Sequence, residues 1–140
     1  MNREIKFRGF SEELKQFVYG FYHEVEAEGV GYSYIFWQGN TTPVRADSIG
    51  QFTGQYDKNL KEIFEDDIIG DWTNVDGKME QSKQTVYFDE MLGQWMLDNS
   101  LKQDKTVSYS LFSELNDFEY EIIGNFFENP EILLVTQAIT

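Results

Sequence analysis

Residues 71–97, DWTNVDGKMEQSKQTVYFDEMLGQWML, decide the fold. Asp76-Gly77 is a preferred two-residue hairpin turn, because both positions tolerate a positive φ. A second tight turn falls near Met91 to Gly93. The stretch therefore predicts three strands, with Trp72, Val86, Phe88, Trp95 and Leu97 supplying the core of a small meander. Such a meander can curl into a compact SH3-like or related, partly open β-barrel.

Working towards the N-terminus, residues 53–70 read TGQYDKNLKEIFEDDIIG. Two apolar pairs, Ile63 with Phe64 and Ile68 with Ile69, flank Glu65, Asp66 and Asp67. Three consecutive carboxylates between two apolar pairs form a turn most simply, because Asp side chains bond nearby backbone amides. Adjacent strand residues point to opposite faces, so these carboxylates would converge on a ligand only where the backbone is irregular. Further upstream, EIKFRGF alternates as a first strand with one wet face, and SEELKQFVYGFYHEV reads as a strand interrupted by Gly20. Residues Gly31 to Gly39 read as a loop entering a strand, and Asn40 to Asp47, holding Pro43, as a connection.

Towards the C-terminus, residues 109–135 combine a short helix at Leu111 to Asn116, a buried strand at Tyr120 to Ile123 and a tail stopped by Pro130. The expected fold is thus mainly β with one or two short helices, an α+β arrangement being the fallback. Its 140 residues fit a single domain, since domains usually hold about 100–200 residues. Within it, residues 1–48 are read as an N-terminal part and residues 49–135 as the β core.

The chain has 25 acidic against 11 basic residues, a net charge of -14. Nucleic-acid binding relies on cations that displace counterions from phosphates, so direct binding to DNA or RNA is not expected. The first twenty residues are slightly positive through Arg3, Lys6, Arg8 and Lys15, while from Thr106 onward the charges are all acidic. No apolar run approaches the roughly 18 residues of a membrane span, and the N-terminus lacks a secretory apolar region, so a cytoplasmic location is expected. The absence of cysteine excludes disulfides and thiolate chemistry.

The sequence's one histidine, His23, lies far from any Gly-x-Ser-x-Gly elbow, which argues against a serine nucleophile with a histidine base. His23 with Glu24, Glu26 and Glu28 reads as a charged loop rather than a zinc site. Glu65, Asp66, Asp67 and Asp71 are weak candidates for a hard cation such as Mg²⁺, but they lack calcium-loop spacing. No phosphate-binding glycine loop occurs, and no catalytic residue or cofactor is expected.

Four segments resemble the YopX family of phage and prophage proteins. They are a REIKFR strand at Arg3 to Arg8, GQFTG at Gly50 to Gly54, DKNLKEIFEDDII at Asp57 to Ile69, and EIIGNFFENPEILL at Glu121 to Leu134. VYFDEMLGQW resembles the family's hairpin. Two departures stand out: Asn59-Leu60 replaces the family's usual Asn-Gly, and Glu65-Asp66-Asp67 replaces Glu-Gly-Asp. Leucine resists a positive φ, so the turn is expected to differ in type or length, with Asn59 taking any left-handed position.

The resemblance implies an accessory phage protein without an assigned reaction, acting in the cytoplasm of a bacterial host. Its motif residues Gly50, Gly54, Tyr56, Asp57, Asp67, Gly124, Asn129 and Pro130 read as structural, and Phe52, Tyr56, Ile63 and Ile68 sit where a core needs filling. The leading expectation is a non-enzymatic module that binds itself, as a homo-oligomer, or docks a host or phage protein. The aromatic residues Tyr32, Tyr34, Phe36 and Trp37, or Phe126 and Phe127, are the candidate surface. The alternatives are an acidic nucleic-acid mimic that blocks a host DNA-binding protein and a metal-dependent hydrolase.

Overall fold

A computed structural model describes residues 2–98 and 108–132. The chain divides at Gly54 into two compact units. The molecule is mainly β, with antiparallel pairing throughout and a single short helix among the described residues. No sheet closes into a barrel among them, and no described helix is long and apolar enough to cross a membrane.

The first unit contains β1 (Phe7–Ser11), β2 (Gln16–Ala27), β3 (Val30–Trp37), β4 (Asn40–Val44) and the start of β5 (Gly50–Tyr56), in the sheet order β4-β3-β2-β1-β5. β2 is not interrupted at Gly20. Glycine is required there because a Cβ would run into the Phe36 carbonyl on β3. Residues 31–37 are strand from the outset, since the turn Glu28 (φ 54) and Gly29 (φ 78) is tight enough to pair Ala27 with Val30. Residues 40–44, expected as a connection, form β4. Pro43 is tolerated because β4 is an edge strand, where a missing donor breaks no ladder.

Inside this unit Ile35 and Phe52 are buried, and Ser48 Oγ ties the turn at 46–48 to β1 by accepting from Phe10 N–H (2.8 Å) and donating to the Arg45 carbonyl (2.6 Å). Arg8 is also buried, its guanidinium 4.7 Å from the centre of the Phe17 ring. That stacking uses the weakly hydrated planar cation where a lysine would fit poorly.

The second unit holds the end of β5, β6 (Glu62–Phe64), β7 (Asp67–Gly70), β8 (Trp72–Val75), β9 (Lys78–Gln81), β10 (Gln84–Asp89), β11 (Gln94–Asp98), β12 (Tyr109–Ser110), α1 (Leu111–Asp117) and β13 (Glu121–Asn125). Five strands form a sheet ordered β12-β11-β10-β7-β13. Ile63, Ile69, Val86, Leu97, Leu111 and Tyr120 make its core, with Trp95, Leu115 and Ile122 packed against them. Each such aliphatic side chain contributes about 1.5–3 kcal/mol on burial. Ser110 caps α1 by accepting from Ser113 N–H.

The expected three strands of residues 71–97 are four. The chain breaks at Ser82, whose N–H donates to the Asp71 carbonyl (2.9 Å) while its Oγ accepts from Asp71 N–H (3.0 Å). These bonds pinch β8 and β9 into a separate two-stranded ribbon. Trp72 lies on that ribbon and is 49% exposed, so it is not a core residue as expected. Phe88 is also largely exposed, because it sits near the turn end of β10 and meets Trp95 edge-on at 5.0 Å. Val86 and Leu97 do fill the core.

Candidate functional site

Of the segments singled out in the sequence, those beginning at Asp57 and at Glu121 build a set of interlocked turns in the second unit. Asp57 is buried. Its Oδ1 accepts from Asn59 N–H (2.8 Å) and Lys61 N–H (2.9 Å), and its Oδ2 accepts from Ile122 N–H (3.0 Å) on β13. Lys58 N–H donates to the Tyr120 carbonyl (2.8 Å), a second bond between the same two segments. A buried carboxylate is expensive unless its lone pairs are used, and here backbone donors use them.

Leu60, not Asn59, takes the left-handed conformation, with φ 63. The Asp57 carboxylate and the bond from Leu60 N–H to the Asp57 carbonyl (3.0 Å) hold the loop in that shape despite the side chain. Asp66, the other residue standing where the family has glycine, has φ 71. The left-handed position thus falls on Leu60, where the expectation had put it on Asn59.

The acidic run is a corner. Glu65 and Asp66 form the turn, and Asp67 opens β7 with its Oδ2 accepting from Phe64 N–H (2.7 Å). Asp66 N–H donates to the Val86 carbonyl and its own carbonyl accepts from Phe126 N–H (2.7 Å). Among the described residues no group of three or more metal-ligating side chains comes together, at this corner or around His23. On β2, His23 points to one face, beside Tyr34, while Glu24 lies on the other and accepts from Tyr22 OH (2.9 Å). Burial and that bond to Glu24 raise the Tyr22 pKa.

Asn125 closes β13. Its Oδ1 accepts from Glu128 N–H (2.7 Å), its Nδ2 donates to Glu128 Oε1 (2.9 Å), and its N–H donates to Asn129 Oδ1 (3.2 Å). Gly124 must lack a Cβ, which would sit 2.7 Å from Ile132 Cδ1 and 3.0 Å from Asn129 Cβ. Pro130 follows this closed turn. Gly54 has φ 82, and Gly50 is buried opposite Arg8. Phe52, Ile63 and Ile68 are buried, whereas Tyr56, expected in the core, is largely exposed near the end of β5.

The aromatic candidates divide. Tyr32, Tyr34 and Phe36 share one face of β3, and Trp37 lies on the opposite one. Phe126 is exposed and Phe127 half-buried, both in the second unit. Sequence reasoning missed that Phe21 and Val25 on β2 join the β3 group, since Phe21 faces Phe36 and Val25 faces Tyr32 across the ladder. The expected charged loop at His23, Glu24 and Glu26 is instead the outer half of β2, held extended by its ladder with β3, and Glu28 begins the turn.

Ser33 and Ile35 are buried on the other face of β3, which β2 continues with Tyr22, Glu24 and Glu26, all three exposed. Phe21 is 62% exposed, Phe36 45%, Tyr32 47% and Val25 39%. From Phe21 to Ala27 β2 is therefore exposed on both faces, one bearing Glu24 and Glu26 and the other an apolar group that an antiparallel sheet ordinarily covers.

Two antiparallel units, with Asp57 and Asp67 accepting from backbone amides and aromatic side chains exposed on β2 and β3, define a mainly-β protein. The family model described as YopX protein matches residues 6–134, and the chain belongs to that family. Its fold is similar to the crystal structure of protein EF1440 from Enterococcus faecalis, at 21% identity and a TM-score of 0.55, over 94% of this chain and 99% of that one. No curated protein gives a significant match.

Proposed function

We propose that this chain is a non-enzymatic phage or prophage accessory protein, cytoplasmic in its bacterial host, that works as a protein-interaction module. The observation that carries the reading is the outward apolar face of β2 and β3, where Phe21 and Phe36 stand directly opposite each other in water. Exposed contiguous apolar surface is costly unless something covers it, and such patches commonly mark interaction sites. The use of Asp57 and Asp67 as backbone acceptors supports a structural role for the acidic motif.

The test compares the immobilised chain with a Phe21→Ser/Phe36→Ser variant in a host lysate. A protein, the chain itself included, that is retained by the first and lost from the second supports the reading. Equal retention by both overturns it.

A further inference from the structure

We infer that the outer face of β2 and β3 is covered by a second copy of this chain, packed face to face about a two-fold axis. The inference rests on the interaction-module reading and names its partner. Charge selects the partner. The outer part of that face, Phe21, His23 and Val25 on β2 with Tyr32, Tyr34 and Phe36 on β3, includes no carboxylate and no lysine or arginine, and Arg8, further along the same face opposite Tyr19, is buried. The chain as a whole carries -14. Two copies repel wherever their acidic surfaces meet, so a charge-free face is where they approach at least Coulomb cost. A basic partner would find nothing on this face to recruit it.

The area is sufficient. With about 200 Å² for a fully exposed aromatic side chain, the exposed fractions at this face amount to roughly 500 Å² per copy. Complete burial in two copies then reaches about 1,000 Å², the lower bound for a specific interface and the size of a weak, concentration-dependent one.

The side chains also match themselves under the symmetry. The His23–Tyr34 pair lies midway between the Phe21–Phe36 and Val25–Tyr32 pairs. A two-fold axis across the strands at His23 and Tyr34 sets Phe21 of one copy over Val25 of the other, and Phe36 over Tyr32. A large ring thus meets a smaller side chain on β2, and two aromatic rings meet on β3. The contact is isologous and closes at two copies.

The experiment is sedimentation equilibrium of the full chain over a range of concentrations, at low and at raised salt. The expected result is a dimer that strengthens with salt, since screening removes the repulsion between acidic bodies. Phe21→Lys and Val25→Glu, each checked for folding by circular dichroism, should separately raise the dimer dissociation constant about tenfold or more. Mixed together they should restore a heterodimer, because the axis places position 21 against position 25.

A wild-type chain that stays monomeric overturns the inference. If it still retains a lysate partner through Phe21 and Phe36, the interaction-module reading stands without it. A dimer indifferent to both substitutions overturns the assignment of the face. Weakening by each substitution without rescue in the mixture overturns the axis.

Discussion

Replacing Leu60 by glycine should make the protein more stable, although it removes a large apolar side chain. Leu60 has φ 63 and is 81% exposed, so its side chain contributes little burial while its Cβ strains the backbone. A left-handed non-glycine residue costs about 1–2 kcal/mol. Glycine loses part of that gain, about 0.4–1 kcal/mol, through the freedom that it adds to the unfolded chain. The net expectation is a stabilisation of about 0.5–1 kcal/mol, or some 2–5 °C in Tm.

The assay is urea unfolding followed by tryptophan fluorescence in a Trp37→Phe background, so that Trp72 and Trp95 of the second unit report. Leu60→Ala is the control, because alanine keeps the Cβ and therefore the strain; it should fall within about 0.5 kcal/mol of the parent. If Leu60→Gly is no more stable than Leu60→Ala, the claim that the Asp57 bonds force a strained loop is wrong.

Asp57→Ala leaves three backbone N–H groups without their acceptor and should cost about 2–4 kcal/mol in the same assay. Gly124→Ala drives a methyl group against Ile132 and Asn129 and should cost about 1–3 kcal/mol, with hydrogen exchange accelerating at the Asn125 amide. Tyr120 is buried, which pushes its phenol up to about 12 from 10.0 against the opposing effect of its bond with Gln84. Because the folded pKa lies above the unfolded one, the stabilisation is complete below pH 10 and is lost as pH rises towards 12. An ultraviolet titration should show a late-ionising component that Tyr120→Phe removes, and the same substitution should flatten the loss of stability over that window.

The parts of the fold that were legible in the sequence are those set by local chemistry. Asp76-Gly77, both residues with positive φ, is the hairpin turn that the dipeptide specifies. Leu111 to Asp117 is helical behind its Ser110 cap, and the corner at Glu65 and Asp66 follows from side chains that favour turns.

What was not legible depends on partners distant in sequence. Leu60 adopts a conformation that its own preferences oppose, because the Asp57 carboxylate decides the matter. Pro43 looked like a chain break and lies in a strand, since only the sheet order reveals an edge. Trp72 and Phe88 alternate as core residues should, but one is on a detached ribbon and the other near a turn. For β2 and β3 the expected break at Gly20 and charged loop at His23 to Glu28 give way to two continuous strands, because each is held by its ladder with the other, and that pairing creates the candidate surface.

The bond from Ile122 N–H to Asp57 spans 65 positions. During synthesis at about 5–20 residues per second, the carboxylate waits several seconds for its last donor. The small turn around it can form at once, but docking of the final strand must follow emergence of the distal segment from the ribosome. Maturation of this unit therefore waits on that emergence, and the interval before it is when a nascent chain with unpaired strand edges most needs a chaperone.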